Sequence, residues 1–239
     1  MRSLVMFFVD RPLLFCFTLG AVFNTYWWLK FQKQLNIKWY TAPVLAAMHF
    51  LFAMVAMRIW GLLEVGGNVE DAASMRLFGA LFLLPLLYYL GAKITKRDLK
   101  LVMDICFLCT VVGLVPGRVN CLINGCCEGI CIVPGGEMRW PLREIEIAWA
   151  LVMVLIFLKR ILERKTKGYA FPICFISYGT LRFLLEWLRE EYTGRLGIFH
   201  LAHIWSLLSI AIGVILCLQV NQYNKARVKT RNKNKEDKK

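Results

Sequence analysis

Four polar side chains recur in a late apolar stretch at a spacing that suits one face of a helix. They are Tyr178, Arg182, Glu186 and Arg189, and steps of three or four residues place them on the same side. Because a charge inside hydrocarbon costs a few kcal/mol or more, we expect this face to line a cavity. The alternative is a purely structural ion pair between Arg182 and Glu186.

Arg118 supplies a second guanidinium at the same predicted depth, at the end of the fourth apolar stretch. Two guanidiniums in a water-poor cavity repel each other unless an anion lies between them, and arginine binds phosphate through its planar fork. Arg118 and Arg182 therefore predict a phosphate site, for which a phospholipid headgroup is the most available ligand. The other polar residues near this depth are Arg58, Glu144, Glu146 and His203.

Four of the nine cysteines fall in one predicted outer loop, 118–143, and they are Cys121, Cys126, Cys127 and Cys131. Their spacing lacks the C-x2-C pairs of zinc ribbons and thioredoxin-like sites, so we predict no metal and no cofactor. One interpretation is that disulfides brace the loop in an oxidising compartment. The other is that a thiolate at Cys126 or Cys127 acts as a nucleophile or binding group.

The elements that must position these residues are apolar helices. Of the 239 residues, 58% are hydrophobic, whereas a soluble domain is usually nearer about half. A helix needs roughly 20 apolar residues to cross about 30 Å of hydrocarbon. Runs near that length recur at 12–29, 39–63, 77–92, 101–115, 145–158, 169–188 and 201–220. We therefore predict an all-α, polytopic membrane helix bundle with about seven transmembrane helices.

The net charge of +14 is carried mainly by alternate loops. Basic residues concentrate in four segments, 30–38, 93–100, 159–168 and 225–239. The positive-inside rule then predicts an extracytoplasmic N-terminus and a cytoplasmic C-terminus, and nucleic-acid binding becomes unnecessary, so we predict none. Residues 1–222 are predicted to form the membrane domain, and 223–239 a disordered basic tail attracted to anionic lipid.

Two segments carry a family resemblance. The segment GRVNCLINGCCEG at 117–129 resembles the signature loop of the prolipoprotein diacylglyceryl transferases, near G-R-x-G-N-F-x-N-G-E-x-x-G. Its matching residues are Gly117, Arg118, Asn124, Gly125 and Gly129. The segment YGTLRFLLEWLRE resembles the family's Y-G-x-x-R-F-x-x-E-x-x-R helix. Its matching residues are Tyr178, Gly179, Arg182, Phe183, Glu186 and Arg189. Weaker similarities lie at 57–60, which contains Arg58, and at 203–206.

The resemblance implies transfer of the diacylglyceryl group of phosphatidylglycerol to a lipobox cysteine of a precursor protein, at the outer face of the bacterial plasma membrane. It implies that Arg118 and Arg182 hold the phosphate and that Glu186 orients Arg182. The predicted catalytic residues are Arg118, Arg182, Tyr178, Cys126 and Cys127. The predicted substrate-binding residues are Arg58, Cys121, Asn124, Gly129, Glu186 and His203.

Several positions depart from the family pattern. The second Asn of the signature loop is Cys121 here, and its Glu is Cys126. The family has a histidine in an F-H-G-G-type segment, but 72–77 contains none. The family's H-P-S-Q-L-Y-E stretch appears as W-P-L-R-E-I-E at 140–146. The candidates for a replacement base are Glu144, Glu146, His200 and His203.

These departures leave several functions open. The chain is a divergent diacylglyceryl transferase, a related transferase with another acceptor and a covalent cysteine intermediate, or a non-catalytic lipid-binding or assembly protein. A membrane thiol oxidoreductase is prompted by the cysteines but lacks a C-x2-C pair. A transporter is disfavoured because the polar residues gather at one face and not at the midplane. We favour lipid-dependent transfer.

Overall fold

The computed structural model describes residues 12–64, 77–133, 135–189, 195–196 and 199–236. Within these ranges the chain forms seven helices and one short hairpin. The helices are α1 (Pro12–Leu35), α2 (Thr41–Glu64), α3 (Leu77–Ile94), α4 (Leu99–Ile123), α5 (Leu142–Leu162), α6 (Ala170–Glu186) and α7 (Leu201–Glu236). The strands β1 (Arg195–Leu196) and β2 (Phe199–His200) pair antiparallel just before α7.

The predicted all-α class is confirmed, and each predicted apolar run lies within or largely overlaps one helix. In the described part of the chain, four helical segments are long and apolar enough to cross a membrane: α2, α3, α4 and Leu201–Ala226 of α7. Their length exceeds or approaches the roughly 20 residues that a span needs. The chain is therefore a helical membrane protein.

Helix α4 occupies the centre of the bundle. It contacts α1, α3, α5 and α6, and its side chains at Ile105, Phe107 and Leu108 are fully buried. An apolar helix that is buried all round must lie inside its bundle. Its C-terminal turns therefore carry Arg118 and Cys121 to a position that the surrounding helices fix.

Helices α6 and α7 pack against each other at short range and run antiparallel. A Cβ atom on Gly179 would lie 2.8 Å from the carbonyl oxygen of Ser206, and Ser209 Oγ donates to the Phe175 carbonyl at 2.9 Å. Small residues permit this close approach between helices in membranes. Because α7 covers one side of α6, Tyr178 and Arg182 reach α5 from another side.

Two helix ends differ from the sequence prediction. Helix α4 does not end at Arg118 but continues to Ile123, so the irregular segment is 124–141 and not 118–143. Helix α7 continues through residues 223–236, where the sequence predicts a disordered tail. The lysines and arginines there, together with Ala226 and Glu236, are good helix formers, and no proline or glycine interrupts them. The predicted boundary at residue 222 thus falls inside a helix.

Candidate active site

Glu146 on α5 is the centre of a buried polar cluster. Arg118 on α4 donates to Glu146 Oε2 from Nε at 2.8 Å, with a second guanidinium nitrogen beside the same oxygen. Arg182 on α6 donates to Glu146 Oε1 at 3.0 Å, and the Tyr178 hydroxyl lies 3.3 Å from Oε2. The Glu146 side chain is only 2% exposed. One carboxylate therefore joins three helices through both of its oxygens.

Arg182 lies between two carboxylates. It donates to Glu146 through one terminal nitrogen and to Glu186 Oε2 through the other, at 2.8 Å. Glu186 is fully buried one turn further along α6, so the i, i+4 spacing fixes the guanidinium plane. The predicted contact between Glu186 and Arg182 is present in the structure. The carboxylate of Glu146 lies between Arg118 and Arg182, so a protein side chain takes the place between these two guanidiniums that the sequence assigns to a phosphate.

The irregular segment 124–141 is tied to the end of α6 by backbone hydrogen bonds. The Ile130 amide donates to the Leu188 carbonyl at 2.8 Å, and the Trp140 amide donates to the Ile130 carbonyl at 3.1 Å. At Gly129 a Cβ atom would lie 2.6 Å from the Trp140 carbonyl oxygen and 3.0 Å from that of Leu188. Gly129 is therefore where three backbone segments meet, and the structure gives this predicted binding residue a packing role.

Three of the four clustered cysteines come together at the end of α4. The sulfur atoms of Cys121, Cys126 and Cys127 all lie within 4.8 Å of one another, and none of them is in a disulfide. Cys131 is not part of this group; its backbone pairs with Arg139. We call Cys121, Cys126 and Cys127 the thiol cluster. Arg118 precedes Cys121 by three residues, so both lie on one face of α4.

Cys127 contacts a guanidinium and has an unusual backbone conformation. Arg189 donates to Cys127 Sγ at 3.1 Å, so the fourth residue of the predicted helical face reaches the loop. A hydrogen bond from Cys121 and the nearby charges of Arg189 and Arg118 lower the pKa of the Cys127 thiol to about 5, against the effect of burial. Cys127 also has φ 61°, a left-handed conformation that costs about 1–2 kcal/mol for a residue with a Cβ.

His203 on α7 is fully buried next to the rings of Phe183 and Trp187. Its Nδ1 accepts a hydrogen bond from the His200 amide at 3.1 Å, so the neutral ring carries its proton on Nε2. Nε2 has no hydrogen-bond partner within the described part of the chain. In this tautomer Nε2 is a hydrogen-bond donor, and the ring offers no free lone pair to act as a base.

The remaining predicted residues lie outside the buried cluster. Asn124 is exposed at the end of α4, where its side-chain amide donates to the Asn120 carbonyl at 2.8 Å. Arg58 is exposed on α2 and forms no ion pair with any residue that the structure describes. Glu144, one of the candidate bases, is also exposed. The segment 72–76, where the sequence lacks the family's histidine, lies outside the described residues.

A comparison with known protein families shows to which family the chain belongs. A sequence model of the family described as prolipoprotein diacylglyceryl transferase matches residues 72–219, which is more than half of the chain. The chain belongs to the prolipoprotein diacylglyceryl transferase family. The matched range contains all the residues of the buried cluster and the thiol cluster, so both lie within the part of the chain that the family relationship covers.

One curated member of the family shows how divergent this chain is. This chain is similar to phosphatidylglycerol–prolipoprotein diacylglyceryl transferase 2 of Clostridium perfringens (strain 13 / Type A), with 28% identity over 119 residues. The alignment covers 44% of this chain and 46% of that protein. The chain thus spans about half the length of the curated relative it matches.

Two functional candidates emerge from the structure more clearly than from the sequence. Glu146 is predicted only as one possible base, yet it contacts both arginines and Tyr178. Arg189 is predicted only as part of a helical face, yet it contacts Cys127. In the sequence Glu146 stands out as an acidic residue inside an apolar stretch, which indicates a residue that needs a partner. The sequence spacing of these residues does not show that the partners are Arg118 and Arg182.

Proposed function

We propose that the protein transfers the diacylglyceryl group of phosphatidylglycerol to a cysteine thiol of a prolipoprotein at the outer face of the bacterial plasma membrane. The proposal rests on the family relationship and on one structural observation, the buried pair of guanidiniums at Arg118 and Arg182 that Glu146 holds together. In this proposal about seven helices span the membrane, with the N-terminus outside and the C-terminus in the cytoplasm.

The charges of the cluster suit a phosphodiester. The guanidiniums of Arg118, Arg182 and Arg189 face the carboxylates of Glu146 and Glu186, which leaves one positive charge among these five residues. A phosphatidylglycerol headgroup carries one negative charge and gains a second when glycerol phosphate leaves. Fixed guanidiniums in a water-poor site stabilise such developing charge without reorganising. Arg118 is the more accessible of the two central arginines, at 11% against 7% exposure.

The proposed reaction is a displacement at carbon. The acceptor thiolate attacks the glyceryl carbon that is bonded to the phosphate oxygen, a carbon–sulfur bond forms, and the carbon–oxygen bond breaks. The electron pair of that bond goes to the departing glycerol phosphate, which Arg118 and Arg182 hold. In this scheme Tyr178 and the Nε2 proton of His203 orient headgroup oxygens. Glu186 keeps Arg182 in place.

The thiol cluster raises a second candidate, a covalent route. Cys127 has a lowered pKa and a guanidinium contact, which are features of reactive cysteines. In that route Cys127 itself takes the diacylglyceryl group and passes it to another acceptor. A covalent intermediate would add the mass of a diacylglyceryl group to purified protein, and Cys127→Ser would abolish the adduct.

The test is a transfer assay with membranes that contain the protein, labelled phosphatidylglycerol and a lipobox peptide. We expect label on the peptide, and a loss of about 100-fold or more in Arg118→Ala and in Arg182→Ala, because each removes a donor to the leaving group. Arg160→Ala is the matched control, since Arg160 is exposed on α5. Full transfer in both variants would refute the phosphate role. No transfer by inserted, folded wild type would refute the proposed acceptor.

A further inference from the structure

The thiol cluster has the composition and arrangement of a metal site. Three sulfur ligands lie within 4.8 Å of one another, and each side chain is partly accessible to solvent. We propose that Cys121, Cys126 and Cys127 bind one Zn²⁺ ion and leave its fourth position open for the thiol of the acceptor. The first half of this proposal stands on the cluster alone, and the second half rests on the proposed function.

The geometry requires little movement of the three side chains. Zinc–sulfur bonds are about 2.3 Å, so sulfurs around a tetrahedral ion are about 3.8 Å apart. The separations in the cluster are at most 4.8 Å, and rotation of the cysteine side chains closes that difference. Thiolate ligands also favour a soft ion such as Zn²⁺ over Mg²⁺ or Ca²⁺, which prefer oxygen. The sequence pattern did not suggest this site because it lacks C-x2-C.

The surroundings balance the charge of such a site. Three thiolates and one Zn²⁺ carry one net negative charge. Arg189 donates to Cys127 Sγ at 3.1 Å, and Arg118 lies one helical turn before Cys121. Hydrogen bonds of this kind orient and stabilise metal ligands.

The backbone holds the three cysteines in place before any ion binds. The Cys126 amide donates to the Cys121 carbonyl at 3.1 Å, which closes the turn after α4. Arg143 donates to the carbonyls of both Cys121 and Cys126, at 3.4 and 3.1 Å. Cys127 keeps its left-handed conformation at φ 61°, and such costly conformations persist where the surroundings require them. The turn therefore directs Cys127 back toward α4.

An open zinc position would remove the need for a base that deprotonates the acceptor thiol. Sites with three protein ligands keep a fourth position for water or substrate. If the acceptor thiol occupied that position, zinc would stabilise its thiolate and its proton would go to solvent. That thiolate would then form the carbon–sulfur bond of the proposed reaction, while the carbon–oxygen bond breaks toward glycerol phosphate. No oxidation or reduction takes place, and no histidine or carboxylate has to accept the proton.

Metal analysis of the purified full-length protein tests the site. We expect one zinc per chain after exposure to Zn²⁺ and removal of excess. We also expect thiolate-to-metal charge transfer in the near ultraviolet after replacement by Co²⁺. Cys121→Ser, Cys126→Ser and Cys127→Ser should each lose both signals. Cys131→Ser is the matched control, since Cys131 lies in the same loop but outside the cluster, and it should keep them.

The outcomes separate this proposal from the proposed function. Disulfides among the three cysteines, or zinc retention that is unchanged in all three variants, would overturn the site. Transfer that stops when a chelator removes the metal and returns with Zn²⁺ would support the role of the open position. Transfer that ignores metal removal would overturn that role. Stoichiometric zinc in a protein with no transfer to lipobox peptide would leave the site standing and refute the proposed acceptor.

Discussion

Arg118 on the central helix α4 and Glu146 on α5 form a buried ion pair between these helices, with a 2.8 Å hydrogen bond from Nε to Oε2. Both side chains are largely buried, at 11% and 2% exposure. A buried ion pair adds little stability when it is intact, because desolvation offsets the attraction, but the loss of one partner strands the other charge. The pair therefore makes the site sensitive to single substitutions.

Replacing Glu146 should damage both stability and transfer. Glu146→Ala leaves Arg118 and Arg182 facing each other, so we expect the free energy of unfolding to fall by about 3–5 kcal/mol. Glu146→Gln keeps the shape and one acceptor oxygen, so it should destabilise less while still misplacing the arginines. Thermal unfolding in detergent and the transfer assay measure the two effects. Glu144→Gln, at an exposed position of the same helix, is the control. Unchanged stability in Glu146→Ala would contradict the cluster.

Removing the Tyr178 hydroxyl should have a modest effect. Its hydrogen bond to Glu146 is long, at 3.3 Å, and the ring packs beside Trp149 in any case. A typical hydrogen bond contributes about 0.5–1.5 kcal/mol, so Tyr178→Phe should lower transfer by roughly tenfold or less. Tyr26→Phe alters an exposed ring on α1 and should change nothing. A loss for Tyr178→Phe as large as that for Arg182→Ala would show that the hydroxyl takes part in the chemistry.

The sequence predicts the helices correctly and draws attention to the two arginines, because both leave strong signals. Long apolar runs identify membrane helices, and Arg182 stands out as a charge inside one of them. The partner of that charge depends on how α4, α5 and α6 pack, so Glu146 could be named but not placed. The sequence predicts too early an end for α4 because Pro116, Gly117 and Arg118 interrupt its apolar run, whereas the helix continues to Ile123.

The thiol cluster is a second feature that the sequence alone does not predict. The spacing of Cys121, Cys126 and Cys127 fits no common metal pattern. Their meeting depends on the turn after α4, in which the Cys126 amide bonds to the Cys121 carbonyl and Cys127 adopts positive φ. A non-glycine residue at positive φ is uncommon, so sequence reasoning had no ground to expect it.

Adding a methyl group at Gly129 should detach the loop from α6. The new Cβ would lie 2.6 Å from the Trp140 carbonyl oxygen and 3.0 Å from that of Leu188, and backbone atoms cannot move aside cheaply. Overpacking of this kind costs about 1–3 kcal/mol, so Gly129→Ala should lower the unfolding temperature and speed proteolysis within 124–141. Gly91→Ala is the control, because a Cβ there meets no described atom within 4 Å. Equal behaviour of the two variants would argue against the packing at Gly129.

Cys127 and Cys126 should differ in reactivity when the protein is free of metal. The contacts from Cys121 and Arg189 lower the pKa of Cys127 to about 5, whereas burial raises the pKa of Cys126. Cys127 is then mainly thiolate from pH 8 down to about 6, and its alkylation rate should fall only near and below about pH 5. The rate at Cys126 should fall by about tenfold for each pH unit below its pKa.

Peptide mapping after timed iodoacetamide treatment between pH 5 and pH 8 measures both rates in one sample. Arg189→Gln removes the guanidinium that contacts Cys127 Sγ at 3.1 Å, so it should move the alkylation profile of Cys127 toward higher pH. Arg139→Gln changes a guanidinium of the same loop that pairs with Glu128 and should leave that profile in place. Parallel profiles for Cys126 and Cys127 in the wild type would mean that Arg189 and Cys121 do not stabilise the Cys127 thiolate.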